Sequence, residues 1–317
     1  MTIAMARTAL RFESRRYCMV KDPCPVFDGS LWHLFGTGIT SPHVFELLHA
    51  TAPSLRGPWQ VAQPIRVDIP GGCVAAPGVV ASRGRLHMFL QTEYNKLGGT
   101  IEHLVSIDCG TTFHHVDTAL TSQPGTEDAG IYDPHPAEIG GWPYLVYSGF
   151  RTVGEPDVHL ARSVTGRWSG PWERLGPILR HEHVDCHNQR GEPLYEWGLE
   201  GGQLIELPDG DVLLNAVCFL RDAPAGCRQR VFFARASTPL GPYAVDGPVL
   251  SPVGGDHAGE NGHGTLVLDG KELALFFQER DANSETWRYA LAAADVDSIP
   301  SLGEAAPTDD IAGEEAA

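Results

Sequence analysis

Several features are scarce in this chain, and each scarcity excludes something. Basic residues are few: 23 Lys and Arg stand against 40 Asp and Glu, a formal net charge of −17. That balance argues against a nucleic-acid partner, which wants a basic face, and disfavours binding to an anionic membrane. No run approaches the ~18 apolar residues of a membrane-spanning helix. Extended stretches of helical apolar periodicity are missing, which argues against an all-α or doubly wound fold. Cysteine is sparse and unpaired in pattern: seven residues at 18, 24, 73, 109, 186, 218 and 227, an odd number with no C-x-x-C. That reads as reduced thiols, mostly buried, and as a cytoplasmic setting. The first sixteen residues carry Arg7, Arg11, Glu13, Arg15 and Arg16 without an apolar stretch, so no signal peptide is expected.

What is abundant is turn chemistry. There are 36 glycines and 24 prolines in 317 residues, of which 42 % are hydrophobic. Short apolar runs at 31–35, 86–90, 144–147, 212–217 and 273–277 each follow a turn. The turns are Asp28-Gly29, Arg83-Gly84, Gly140-Gly141, Asp209-Gly210 and Asp269-Gly270. Residues that tolerate φ > 0 between two apolar runs mark β-hairpins. A generic β-sandwich would satisfy this pattern.

The chain also repeats itself. Before each hairpin stands an anchor: Asp22-Pro23, Ala76-Pro77, Asp133-Pro134, Glu200-Gly201 and His263-Gly264, spaced by 54, 57, 67 and 63 residues. A Gly-Pro element recurs as Gly57-Pro58-Trp59, Gly170-Pro171-Trp172 and Gly241-Pro242-Tyr243. A period near 60 residues with several strands per unit predicts a propeller of four-stranded blades, and five units fit the length. The expectation is an all-β, five-bladed β-propeller in a single domain over 21–302. Residues 1–20 would close onto it, and residues 303–317, with five acids and no base, would form a disordered tail. In a propeller, equivalent positions of different blades converge on the axis. Asp22, Ala76, Asp133, Glu200 and His263 should therefore meet at one mouth.

At these residues the sequence resembles the five-bladed glycosidases of glycoside hydrolase family 43 and its clan relatives. Lys21-Asp22-Pro23 resembles the first-blade motif of the general base. Ala75-Ala76-Pro77 resembles the second-blade Trp-Ala-Pro motif, with Val74 in place of Trp. Tyr132-Asp133-Pro134 resembles the third-blade motif of an aspartate that orients and tunes the acid. Leu199-Glu200-Gly201-Gly202 resembles the Glu-Gly-Pro motif of the general acid, with Gly202 in place of Pro. Gly262-His263-Gly264 resembles the fifth-blade motif whose histidine lies near a channel water or metal ion. The similarity runs from about Lys21 to Ala294 and implies an inverting hydrolase of arabinofuranosyl or xylosyl glycosides. It implies Asp22 as base, Glu200 as acid and Asp133 as modulator. No cofactor is required; Ca²⁺ in the central channel is the cation to test, through His263.

The residue types suit the chemistry. Glycoside hydrolysis needs a carboxyl acid and a carboxylate base in different environments. Each anchor also has a plain reading: Asp22 and Asp133 as Asp-Pro turn residues, His263 as a core histidine bonded to a carbonyl. Glu196 competes with Glu200 for the acid role or serves as a subsite residue. Phe35, Tyr94 and Trp197 are candidate sugar-stacking aromatics, and Arg280 is a candidate for a hydroxyl or carboxylate. The run His181-Glu182-His183-Val184-Asp185-Cys186-His187 has zinc-type residues at no recognised spacing and reads as a pocket-rim loop. The partner expected is an oligosaccharide or glycoside. Two other readings stay open: a transferase or phosphorylase on the same fold, and a non-catalytic sugar-binding propeller.

Overall fold

A computed structural model describes residues 3–41, 44–67, 69, 74–184, 198–220, 223–255 and 257–299. After a short strand β1 (Ala6–Thr8), the chain forms four complete antiparallel sheets in sequence. The first holds β2 (Met19–Phe27), β3 (Trp32–Thr40), β4 (Val44–Ala52) and β5 (Gln60–Val61). The second holds β6 (Gly78–Ser82), β7 (Arg85–Gln91), β8 (Thr100–Ser106) and β9 (His114–Thr121). The third holds β10 (Gly130–Ile139), β11 (Trp142–Phe150), β12 (Asp157–Ser163) and β13 (Trp172–Leu179). The fourth holds β14 (Glu200–Glu206), β15 (Val212–Phe219), β16 (Gln229–Ala236) and β17 (Ala244–Pro248). The fifth holds β18 (Gly259–Asp269), β19 (Glu272–Asp281) and β20 (Arg288–Asp295), and β1 joins it as the outermost strand, Ala6 opposite Ala293. The first and last parts of the described chain thus share one blade.

The innermost strands β2, β6, β10, β14 and β18 touch in a closed cycle, which makes the five sheets a propeller ring. The apolar core is divided accordingly. Five separate clusters lie one at each blade interface, such as Phe35 and Leu47 against Met88 and Leu104, or Leu34 and Leu48 against Phe276 and Leu291. Strand alternation explains this: both faces of each blade are buried by its neighbours, while the axis is left to the strand starts. The recurring Gly57-Pro58, Gly170-Pro171 and Gly241-Pro242 pairs are all cis. No helix among the described residues is long and apolar enough to cross a membrane. The expected tail at 303–317 lies outside the described residues.

Close approach between blades depends on glycine where no side chain fits. A Cβ on Gly78 would lie 2.9 Å from the Cα of His135 and press on the Pro134 carbonyl, so β6 can meet β10 only without one. Gly78→Ala is expected to destabilise the fold by about 1–3 kcal/mol, the usual range for overpacking. Urea unfolding checks this, and an unchanged midpoint would contradict the blade 2–blade 3 contact.

Candidate active site

Each innermost strand is kinked where it enters the ring. Asp22 (φ 52°), Ala76 (48°), Asp133 (49°), Gly201 (58°) and His263 (24°) all occupy the left-handed region. In blades 1, 3, 4 and 5 the strand register breaks there: between Lys21 and Cys24, Tyr132 and His135, Glu200 and Gln203, and Gly262 and Gly264. These are β-bulges, which re-aim a side chain at the cost of a ladder bond. Pro23 and Pro134 sit inside bulges, where a missing N–H costs no ladder bond.

The freed amides of three blades are taken by the neighbouring blade. Asp22 N–H donates to Gln278 Oε1 (2.8 Å), Ala76 N–H to Thr37 Oγ1 (2.9 Å) and Asp133 N–H to Gln91 Oε1 (2.7 Å). Each acceptor lies on the second strand of the preceding blade around the ring. Left-handed φ at a non-glycine residue costs on the order of 1–3 kcal/mol, and these bonds, two of them buried and one part-buried, help hold it.

The register corrects one expectation. The ring position in blade 4 belongs to Gly201, and Glu200 stands one residue earlier, equivalent to Lys21 and Tyr132. The reason is space: a Cβ on Gly201 would approach the His263 ring to 3.0 Å. Gly202, where the family pattern has Pro, is closed in by Val158 and Val146; a Cβ there would lie 2.8 and 3.2 Å from their methyls.

Around the axis the structure brings together Asp22, Asp133, Glu200 and His263. His263 lies between the three carboxyls: Nδ1 is 3.3 Å from Asp22 Oδ1, and Nε2 is 3.7 Å from Asp133 Oδ2 and 3.6 Å from Glu200 Oε2. Asp133 and Glu200 are buried, 5 % and 6 % exposed. Tyr132 Oη donates to Glu200 Oε1 at 3.0 Å. Burial alone would lower the His263 pKa, but Asp133, Glu200 and Asp22 together raise it to about 9. Burial pushes Asp133 up, His263 pulls it back, and Glu200 and Asp22 add to the rise, leaving it at about 7. The site therefore carries its own cation.

Beneath the carboxyls lies a cavity of about 40 Å³, lined by Asp22, Asp133, Cys24, His135, His263 and Thr265 among others. It has room for a few water molecules and none for a sugar ring. Its lower wall is uncharged: burial holds His135 down at about 4 and the Cys24 thiol up at about 12. Ligand atoms of Asp133, Glu200 and His263 lie within 4.8 Å of one another, and a cation there would compete with the proton on His263. These three residues fall short of a full calcium shell, which asks for six to eight ligands, mainly oxygens.

The candidate binding residues are placed unevenly. Tyr94 stands at the mouth, 46 % exposed and edge-on to Tyr132 at 5.2 Å; its hydroxyl pKa is raised first by Glu200, then by burial, Asp133 and Asp22. Phe35 is a correction: it is 0 % exposed and stacked on His49 at 4.8 Å in the blade 1–blade 2 core. A second-strand side chain there points into the blade interface, so no sugar reaches it. Arg280 is bound to Glu260 at 2.9 Å and lies over Trp287 at 4.8 Å, so no hydrogen bond joins it to the carboxyl cluster. Trp197 and Glu196 lie outside the described residues, as do Asp185, Cys186 and His187 of the histidine-rich run; His181, at its start, is held by Asp157 at 2.7 Å. Sequence reasoning missed Tyr132 and the acceptors Thr37, Gln91 and Gln278. The available signal was a polar residue at or just beyond the end of each otherwise apolar second-strand run.

No protein-family model and no curated protein matches the chain. Solved structures do match, at low identity. An α-L-arabinofuranosidase of Podospora anserina, in complex with cellotriose, aligns with a TM-score of 0.67 and 14 % identity over 93 % of this chain and 98 % of its own. An endo-arabinase of Bacteroides thetaiotaomicron aligns at 0.64 and 15 %, over 93 % and 98 %. An α-L-arabinanase of Cellvibrio cellulosa, complexed with arabinohexaose, aligns at 0.62 and 15 %, over 87 % and 91 %. The fold is thus the five-bladed propeller that arabinose-acting glycoside hydrolases share. A family-43 glycoside hydrolase with a TM-score of 0.64 at 15 % identity, over 90 % of this chain and 92 % of its own, has the same fold.

The central histidine sets a pH signature. His263 titrates higher in the folded state than its ordinary 6.5, so its contribution to stability is full below about 6.5 and is lost as pH rises through about 9. Histidine NMR titration should place its midpoint near 9, and Asp133→Asn should move that midpoint down. A midpoint at or below 6.5, unmoved by the substitution, would contradict the arrangement.

Proposed function

We propose that the chain is a glycoside hydrolase of arabinose-containing glycans, cleaving arabinofuranosyl linkages by inversion. The observation that carries this reading is the placement of Asp22 and Glu200 on opposite nitrogens of one imidazole. At 3.3 and 3.6 Å from the ring, their oxygens are no more than about 9 Å apart, close enough to serve one glycosidic bond; inversion is what the motif resemblance implies. The propeller neighbours named for arabinose-containing substrates support the sugar class at the level of fold. Xylosyl glycosides are the related substrate to compare.

Asp22 is the base. Its backbone is fixed by Gln278, and His263 faces its Oδ1, so the carboxylate has one orientation in which to hold a water. Glu200 is the acid. Tyr132 takes Oε1, which leaves Oε2 to carry the proton toward the leaving oxygen. The base stands in blade 1 and the acid in blade 4, so the glycosidic bond is bracketed across the ring.

Asp133 modulates the pair. It is held at about 7 by burial, offset by His263, and its Oδ2 shares the His263 Nε2 with Glu200. A proton taken up in this range belongs to the cluster as a unit. The cluster thereby exchanges a proton near neutral pH, on which acid catalysis can draw. Tyr94, exposed at the mouth, supplies an aromatic face for the sugar.

Turnover of an aryl α-L-arabinofuranoside tests the assignment. Asp22→Asn and Glu200→Gln should each lower kcat by about 10²–10⁴-fold, the usual contribution of an acid or base. The Glu200→Gln loss should shrink with a dinitrophenyl leaving group, which needs little protonation. Wild-type turnover in either variant would reject the roles, and a retained anomeric configuration would reject inversion. In the wild type, kcat/KM should fall as pH rises through about 7, where Asp133 loses its proton. Asp133→Asn should abolish that limb; its persistence would remove Asp133 from the titrating unit.

A further inference from the structure

A second polar concavity lies on the opposite end of the blades. A groove of about 1020 Å³ opens between blades 2 and 3, lined by Arg83, Arg85, His87, Glu138, Arg167 and Trp168 among others. Arg83 and Arg85 flank the β6–β7 hairpin, and Arg167 lies in the turn between β12 and β13. Ala76, at the axis, precedes Arg83 by seven residues of extended chain, which at about 3.3 Å per residue separates groove and carboxyl cluster by some 20 Å.

This groove gathers three arginines in a molecule of net charge −17, several of whose other arginines are bound to carboxylates: Arg7 to Glu279, Arg56 to Glu272, Arg180 to Glu127, Arg288 to Asp281. Arg83, Arg85 and Arg167 are all exposed, and none makes a side-chain hydrogen bond or ion pair with a described residue. Glu138 is the one carboxylate among the described lining residues. Arg83 also occupies a left-handed position, φ 51°, ahead of Gly84 at φ 71°. Asn, Asp or Gly is usual at that hairpin position. Beside the groove, Trp142 is 46 % exposed and would lie 3.5 Å from a Cβ on Gly166, another lining residue.

We infer that this groove binds an oligosaccharide bearing carboxylates, a uronate-containing glycan, at a site separate from the catalytic mouth. Guanidinium forks match carboxylates in bidentate geometry, and an exposed indole suits a sugar face. Three arginines around one groove offer separate forks to the carboxylates of successive uronates. A densely charged polyanion would instead be repelled by the net −17 and by Glu138. The inference rests on the glycan-degrading reading above. Arabinose-bearing substrate joined to an acidic backbone would then be held by the groove while the mouth acts on neutral branches.

Calorimetric titration of the full chain with tetragalacturonate, arabinotetraose and tripolyphosphate tests this. Tetragalacturonate is expected to bind the wild type. Affinity should fall at least tenfold in the Arg83→Gln/Arg85→Gln/Arg167→Gln variant, and should weaken in 0.5 M NaCl as the charges are screened. Hydrolysis of a small neutral arabinofuranoside should be unchanged in the variant. Circular dichroism verifies its fold, and Arg167→Gln alone, with a smaller loss, serves if the triple variant does not fold. Equal tetragalacturonate binding in wild type and variant overturns the inference. So does no binding in the wild type, arginine-dependent binding of arabinotetraose of equal strength, or tighter binding of tripolyphosphate. Because these arms read heat of binding and the catalytic arm reads turnover, a failed groove and a failed hydrolase remain distinguishable.

Discussion

The left-handed kink at the entry of each innermost strand is the feature on which the site depends. A regular strand alternates its side chains between the two blade faces, and both faces are filled by neighbouring blades. Only a break in that alternation lets a side chain point along the axis. Asp22, Ala76, Asp133, Gly201 and His263 all make the break. The strain is held across blade boundaries by Gln278, Thr37 and Gln91. Ring closure and site geometry are therefore linked: the bonds that fix the Asp22 and Asp133 backbones also tie blade 5 to blade 1 and blade 2 to blade 3.

The kink brings like charges together, and the structure answers with an internal counter-charge. Three carboxyls around one imidazole would repel strongly if all were ionised and the ring neutral. His263 sits within 3.7 Å of each, and Gly201 leaves its ring the space to do so. An imidazolium here does what a bound cation would do, and it leaves the proton balance of the cluster poised near neutrality through Asp133. The opposite end of blades 2 and 3 shows the reverse case, arginines left without acids in an acidic molecule.

Much of the fold was legible in the sequence because it rests on local chemistry. Hairpin turns such as Gly140-Gly141 and Asp209-Gly210, and anchors such as Asp22-Pro23 and Asp133-Pro134, recur with a period that only repeated blades explain. The convergence of Asp22, Asp133, Glu200 and His263 followed from that period. What stayed hidden depends on contacts between blades. The face of β3 that carries Phe35 cannot be read from a run in which both faces are apolar. The offset of Glu200 by one residue comes from His263, distant in sequence but adjacent in space. The clamps Gln91 and Gln278 serve amides 42 and 256 residues away. Arg280, an exposed-looking candidate, is claimed by Glu260 across the strand pair.

The most direct test is a crystal structure of the Glu200→Gln variant soaked with an arabino-oligosaccharide. The glycosidic oxygen should lie within hydrogen-bond reach of the residue-200 amide, with a water between Asp22 and the anomeric carbon on the opposite face of the sugar. A sugar bound away from the kinked residues, or one with Asp22 and residue 200 on the same face, would contradict a hydrolytic site built by the ring.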